Sequence, residues 1–509
     1  MLAYVQSAAI FGLEGQSISV EVDQTQGLPG ITIVGLPDAA VNEAKERIRL
    51  GLKNTGVTLP QKRFVVNLAP GEVKKMGTAY DLPMTLAILK SLEIIDFDSE
   101  TFLALGEVGL DGTLRAVQAI LPLTLYASSR GIKEIIVPAG NAEEASFVRG
   151  IDVIPMDNLS QVIQHFDTKS PFKSKVCPTC DHVDRQKQDY GEIDMAFVRG
   201  QKLAKRALEI AAAGGHNILM TGPPGSGKTL LSRTIPTILP SMDYDEVLDV
   251  SQIYSVAGEL SEEEPLVVDR PFRSPHHTAS STSLIGGGSY PRPGEISLSH
   301  RGVLFLDEFP EFPRAVLESL RQPLEDRIVT VSRVQGSVTF PADFMLIASQ
   351  NPCPCGYLTD PDRECICTQS QIVRYKQKIS GPLLDRIDMV IQVDKVKTEE
   401  LMKPSEATEE RSADIRSRVE GARTRQRERF HGTKLRTNSE MSVRTIQKVC
   451  QLDEASQKLL TVAIQKMNLS ARAYNRILKL SRTIADLAES EDIQTSHLTE
   501  ALQYRERVE

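Results

Sequence analysis

No run of apolar residues in this sequence approaches the roughly 20 needed to cross a bilayer, and Met1 to Phe11 carry neither a basic leader nor a cleavage-site pattern. Such a chain is expected to stay in the cytoplasm, without a membrane partner. Internal repeats and low-complexity tracts are also missing, so no array architecture enters and each stretch is read on its own. Basic residues are the minority, 59 Lys and Arg against 67 Asp and Glu, for a net charge of −8. That excludes wholesale electrostatic attraction to nucleic acid; any such binding rests on local patches or an internal channel. Seven cysteines in 509 residues, with no export signal, do not make a disulfide framework. What remains is a soluble globular mixture, 25% charged and 41% hydrophobic, long enough for about three domains.

Against that background one stretch carries chemistry. Gly222, Pro223, Pro224, Gly225, Ser226, Gly227, Lys228 and Thr229 form the phosphate-loop pattern G-x-x-x-x-G-K-[ST], after the apolar run Ile218 to Met220 and before a helix-like stretch from about Leu230. Its glycines let successive backbone N–H groups point at phosphate oxygens at a helix N-terminus. Lys228 is expected to hold the β and γ phosphates of ATP, and Thr229 to give Mg²⁺ a hydroxyl. Asp307, at the end of the apolar strand Val303 to Leu306, is expected to reach the same ion, leaving Glu308 to polarise the attacking water. A lone phosphate-loop match is weak. The Asp-Glu pair after a buried strand turns it into an expectation of ATP hydrolysis.

The fold class read from these patterns is α/β. From Gln16 to about Met156 the expected strands are Ile18 to Val22, Ile31 to Val34, Phe64 to Leu68, Phe102 to Val108 and Glu134 to Val137. Helical stretches alternate with them; Val41, Ala44, Ile48 and Leu52 share one helical face. The expected divisions are an N-terminal α/β domain over 1–166, a polar linker over 167–188, a parallel-sheet ATPase core over 189–396 and a C-terminal helical lid over 397–509. Cys353, Cys355, Cys365 and Cys367 fall within fifteen residues. Four thiolates suit a tetrahedral structural Zn²⁺ site, although C-x-C is a tighter bite than the usual spacing, and reduced thiols on a loop are the competing reading. Cys177 and Cys180, with His182 nearby, read as linker thiols, and Cys450 as core.

The core motifs are more specific than a generic phosphate-loop enzyme. The stretches Gly215 to Lys228, Arg270 to Thr278, Arg292 to His300, Leu304 to Phe312 and Ser380 to Asp388 resemble those of magnesium-chelatase-type AAA+ ATPases. Across its whole length the chain resembles the ComM/YifB family. That resemblance implies a ring-forming, hexameric class of motor related to helicase-like AAA+ proteins and associated, in competent bacteria, with DNA branch migration during natural transformation. It implies that Asn351 is the sensor near the γ-phosphate, Arg386 the finger inserted into a neighbouring subunit's site, and Arg472 a lid sensor acting in cis, with Arg476 as its rival. A chelatase-like motor working on a protein partner is the alternative reading.

The resemblance also places a hairpin over Ile328 to Phe340 in a ring channel, where Arg333 would grip a phosphate. His276 and His277 lack a spaced third ligand and read as structural or substrate-contacting. From Arg416 to Arg436 there are eight Lys or Arg against two Glu; Arg423, Arg425 and Arg427 are candidate DNA contacts, or else a solvated helix face. The N-terminal stretches Leu105 to Arg115 and Gly131 to Pro138 resemble the Lon-protease fold. The serine loop is replaced there by Gly77 to Pro83, which has no serine, and the lysine helix by Ala119 to Thr124, which has no lysine, so proteolysis is not expected.

Overall fold

The computed structural model describes residues 2–167, 193–261, 263–288, 291–333, 336–396, 410–467 and 469–505. The linker cysteines Cys177 and Cys180, with His182, lie outside them. The chain divides into two compact units, Met1–Arg185 with Tyr244–Val268, and Gln186–Asp243 with Asp269–Glu509.

In the first unit the strands Ala3–Phe11 and Glu14–Thr25 form an antiparallel hairpin. Arg63–Ala69 adds antiparallel to the second of these, and Gly30–Val34 closes the sheet in parallel. Alternation makes the sheet one-sided: Ile18, Val20 and Val22, then Phe64, Val66 and Leu68, point into the core. The helix Ala39–Asn54 buries the face expected from Val41, Ala44, Ile48 and Leu52, and Asp38 caps it by accepting from the Val41 N–H at 2.8 Å. A second, parallel sheet joins Phe102–Ala104, Glu134–Pro138 and Asp152–Met156. The single strand expected over Phe102 to Val108 is two short ones in different sheets, interrupted at Leu105 and Gly106, where a Cβ on the glycine would stand 3.1 Å from Pro138. At the start of the Gly77–Pro83 segment's helix, buried Asp81 is held by Arg47 at 2.6 Å; burial pushes its carboxyl up to about 6 against the pull of that guanidinium.

One segment read as part of the ATPase core, residues 244–268, clusters with the first unit. The helix Tyr244–Ala257 buries Val247, Val250 and Ile253, its Ser255 hydroxyl donates to Glu144 at 2.6 Å, and Tyr244 donates to the Phe147 carbonyl at 2.6 Å.

The second unit is built on a five-stranded parallel sheet. From edge to edge its strands are Phe272–Arg273, Val303–Leu306, Met345–Gln350, Ile218–Thr221 and Met389–Gln392. Val303 to Leu306 are all buried, as a strand covered on both faces requires. The first strand in the chain sits between the fourth and fifth, so its carboxyl end is the switch point where sheets of this kind bind ligands. The helices Ser412–Arg429, Val443–Val449, Glu454–Met467, Ala471–Leu487 and Thr495–Gln503 share the same core, with Ile415, Val419 and Ala422 inside it. At their centre the buried Asp486 carboxylate accepts from Arg429 Nη1 and Asn438 Nδ2, both at 2.8 Å, and from Arg482 Nε at 3.1 Å. No helix among the described residues is long and apolar enough to cross a membrane.

Candidate nucleotide site

The strand Ile218–Thr221 delivers the chain into the phosphate loop, and the helix Lys228–Ile238 leads it away. Gly225 and Gly227 have φ of 77° and 91°, with nothing within 4 Å of an added Cβ. Backbone conformation rather than crowding demands glycine at both. Lys228 Nζ donates to the carbonyls of Gly222 at 2.7 Å and Pro223 at 2.9 Å, and lies 3.5 Å from Asn351 Oδ1. Burial draws its ammonium below the ordinary 10.5, against the attraction of Asp307. Ser226 Oγ is buried without a hydrogen-bond partner. An ammonium, an orphaned hydroxyl and loop N–H groups at a helix N-terminus fit phosphate oxygens.

Thr229 Oγ1 donates to Asp307 Oδ2 at 2.8 Å, which joins the two expected Mg²⁺ ligands. Asp307 Oδ1 accepts from Ser349 Oγ and, at 3.0 Å, from the Glu308 N–H. Ser349 escaped the sequence reading. Its signal is register: Leu306 pairs with Ala348 across parallel strands, so the next residues, Asp307 just past its strand and Ser349 within its own, stand side by side. Glu308 adopts a left-handed backbone, φ 52° and ψ 45°, a conformation costly for a non-glycine residue and concentrated at functional sites. Its Oε2 lies 3.2 Å from His277 Nδ1, whose ring is 4.1 Å from that of His276 and stands edge-on to Phe312. The tandem histidines therefore place one imidazole on the carboxylate expected to polarise water.

Asn351 directly follows the strand Met345–Gln350. Two residues on, the four expected cysteines converge, with all four sulfurs within 4.8 Å of one another. Cys353 Sγ lies 3.4 Å from Cys355 and 3.6 Å from Cys365, and Cys355 lies 3.6 Å from Cys365. These separations are far beyond a disulfide bond and close to the edge of a tetrahedron of ~2.3 Å Zn–S bonds. The Tyr357 backbone N–H pulls the Cys355 thiol down to about 6, against its partial burial. The cluster has the donor set of a tetrathiolate metal site.

Arg386 and Arg472 lie elsewhere. Asn217, before the phosphate-loop strand, donates from Nδ2 to the Arg386 carbonyl at 3.1 Å and from its backbone N–H to Asp388 Oδ2 at 3.0 Å. The four-residue strand Ile218–Thr221 separates Asn217 from Gly222, five steps or about 16 Å along the sheet. The Arg386 guanidinium is paired to Glu325 and donates to the Pro382 carbonyl at 2.7 Å; its side chain is 12% exposed. Arg472, 60% exposed, reaches the same Glu325 at 4.0 Å. Arg476 donates to the Ile387 carbonyl at 3.1 Å and faces Asp388 at 3.6 Å. All three arginines line one 570 Å³ cleft at the amino end of the sheet. Arg472, expected to serve its own subunit's phosphate loop, is thus placed beside Arg386 and Glu325 instead. The C-terminal helices pack against the wrong end of the sheet for that, fixed by Arg476 to Asp388 and by the buried His216 Nε2 to Thr483 Oγ1 contact of 2.8 Å.

The basic stretch is largely engaged by the fold's own acceptors. Arg423 donates twice to the Ala212 carbonyl, at 3.2 and 2.9 Å. Arg425 donates to the Asp486 carbonyl at 3.2 Å and pairs with Glu489 at 2.8 Å. Arg427 is exposed, with Nη2 on Thr424 Oγ1 at 3.1 Å. Of the three arginines read as phosphate contacts, two hold helices together, and Arg427 alone presents its charge to solvent. The expected hairpin is formed by Ile328–Arg333 and Gly336–Pro341, with Arg333 paired to Gly336 beside the link.

Comparison with known proteins agrees with this arrangement. Residues 194–401 match the family described as Magnesium chelatase, subunit ChlI; residues 20–141 match Subunit ChlI of Mg-chelatase, and 409–505 match Magnesium chelatase, subunit ChlI C-terminal. The class is that of the magnesium-chelatase-type AAA+ ATPases, which implies ATP and Mg²⁺. The chain is 40% identical to Competence protein ComM of Haemophilus influenzae, over 100% of this chain and 98% of that protein. It is 38% identical to Uncharacterized protein YifB of Escherichia coli, over 99% and 97%. It belongs to the ComM/YifB family. The Magnesium-chelatase 67 kDa subunit of Heliobacterium mobile is 27% identical over 31% of this chain and 28% of its own length.

Proposed function

We propose that the chain is the subunit of a cytoplasmic, hexameric AAA+ motor that couples ATP hydrolysis to movement on single-stranded or branched DNA, as a branch-migration helicase in recombination. The observation that carries the ring is the separation of parts: Lys228, Thr229, Asp307, Glu308 and Asn351 gather at one end of the sheet, and Arg386 and Arg472 at the other. A site made whole by the next subunit's arginines needs such an arrangement. Bound Mg²⁺ supplies positive charge to the transferring phosphoryl group. Lys228 orients the phosphates, Thr229 and Asp307 hold the ion, Glu308 takes up the attacking water's proton, and Asn351 positions that water. The neighbour's Arg386 adds fixed charge, an effect worth roughly 10³ to 10⁵ in turnover. The four cysteines hold Zn²⁺.

DNA as the track is supported by the competence protein among the relatives and by the hairpin that carries Arg333. The testing experiment is ATP turnover of the purified protein with and without single-stranded and four-way-junction DNA, at two salt concentrations. Stimulation that fades with salt is expected, because phosphate contacts release counterions. Turnover indifferent to every DNA transfers the proposal to a protein client, the reading favoured by the chelatase match.

A further inference from the structure

We infer that the cysteine cluster is a zinc-held strut that sets the phosphate loop and its sensor, making ATP turnover dependent on a metal that takes no part in the chemistry. The inference rests on the zinc reading above and goes beyond it in assigning the metal a control over the nucleotide site.

Between the strand Met345–Gln350 and the helix Gln369–Lys376 the chain runs without helix or strand. A connection of this length inside a compact unit needs something of its own to order it. The four sulfurs are what gathers it, and Cys353 is fully buried. The thiols tie the start of the loop, beside Asn351, to its end. Three tethers join the loop to the nucleotide site. At Gly356, φ 86°, a Cβ would stand 2.7 Å from Pro224 Cδ and 3.9 Å from Asn351 Cγ, so this turn lies directly on the phosphate loop. Lys395, just beyond the neighbouring strand Met389–Gln392, pairs with Asp360 at 2.7 Å. After the loop, Thr368 and Gln371 cap the helix reciprocally, and on that helix the nearby Asn351 backbone holds the Tyr375 phenol down against the upward push of its burial. Asn351 is thus gripped from both ends of the metal loop, and Pro224 leans on its turn. Opening the tetrathiolate frees the turn, the sensor and the phosphate loop together.

The test uses full-length protein. Elemental analysis should find one zinc per chain, and cobalt in its place should show thiolate-to-metal charge-transfer absorption. Stripping with a chelator should weaken binding of a fluorescent ADP analogue by about tenfold or more and lower turnover by a similar factor, with zinc alone restoring both. Gly356→Ala keeps all four thiols and should retain zinc, yet show the same loss, because its methyl collides with Pro224. Zinc present, with nucleotide affinity within about twofold of the original after stripping and in Gly356→Ala, overturns the strut and leaves the zinc site standing. A protein without zinc, or with iron in its place, removes both.

Discussion

Lys228 and Arg386 flank the same parallel sheet at its opposite ends, one after the strand Ile218–Thr221 and the other anchored through its carbonyl to Asn217 before it. A single subunit therefore cannot bring its own Arg386 to its own phosphate loop without dismantling the sheet. Mixing inactive subunits reads this directly. In an equal mixture of Lys228→Ala and Arg386→Ala chains, about one site in four combines an intact loop with an intact neighbouring arginine, so up to about a quarter of wild-type turnover should return. The same rescue is expected with Arg472→Ala, whose guanidinium shares Glu325 with Arg386. Failure of Arg472→Ala to complement, when Arg386→Ala does, would return Arg472 to a cis role.

Glu308 carries the strained backbone of the site, and its carboxylate is 53% exposed beside the Asp307 that faces Thr229. Glu308→Gln keeps the shape and loses the base. ATP binding should stay within about twofold of wild type, while turnover falls by about 10² or more. Titration with a fluorescent nucleotide and single-turnover hydrolysis separate the two. Normal hydrolysis would remove Glu308 from the chemistry.

The parts of the site legible in the sequence were those whose geometry is local. The loop from Gly222 to Thr229 bends at fixed glycines, and Asp307 and Glu308 follow a strand whose burial is written in four apolar residues. The four cysteines were legible for the same reason, lying within one loop. The placement of Arg472 was not, because it depends on which end of the sheet the C-terminal helices cover, and that is decided by contacts such as Arg476 with Asp388, 88 residues apart in sequence and 3.6 Å apart in space. Charge counting likewise saw Arg423 and Arg425 but not the Ala212 and Asp486 carbonyls that accept from them.

Asp486 shows how much those helices depend on one buried group. Its side chain is fully buried and meets Arg429, Arg482 and Asn438. Asp486→Ala leaves two guanidiniums facing each other without an anion, and breaking a buried pair in this way costs about 3–5 kcal/mol. Denaturant unfolding followed by circular dichroism should show the loss in the second unit's transition. A variant unchanged in stability would mean that solvent reaches these arginines.

The contact between His277 and Glu308 gives the site a partner that ATP chemistry does not require. The imidazole Nδ1 lies 3.2 Å from Glu308 Oε2, and the ring, on the segment after the edge strand Phe272–Arg273, is propped by its neighbour His276 and by Phe312 beyond the strand Val303–Leu306. While the carboxylate is engaged there, one of its two oxygens is unavailable to the attacking water. His277→Ala should therefore raise basal turnover about threefold or more at an unchanged KM for ATP, since general-base efficiency depends on a free, positioned acceptor. His277→Gln, which can still donate to the carboxylate, should stay near the wild-type rate. If turnover instead falls in His277→Ala and recovers in His277→Gln, the imidazole aims Glu308 at the water rather than restraining it, and the sign of the coupling reverses.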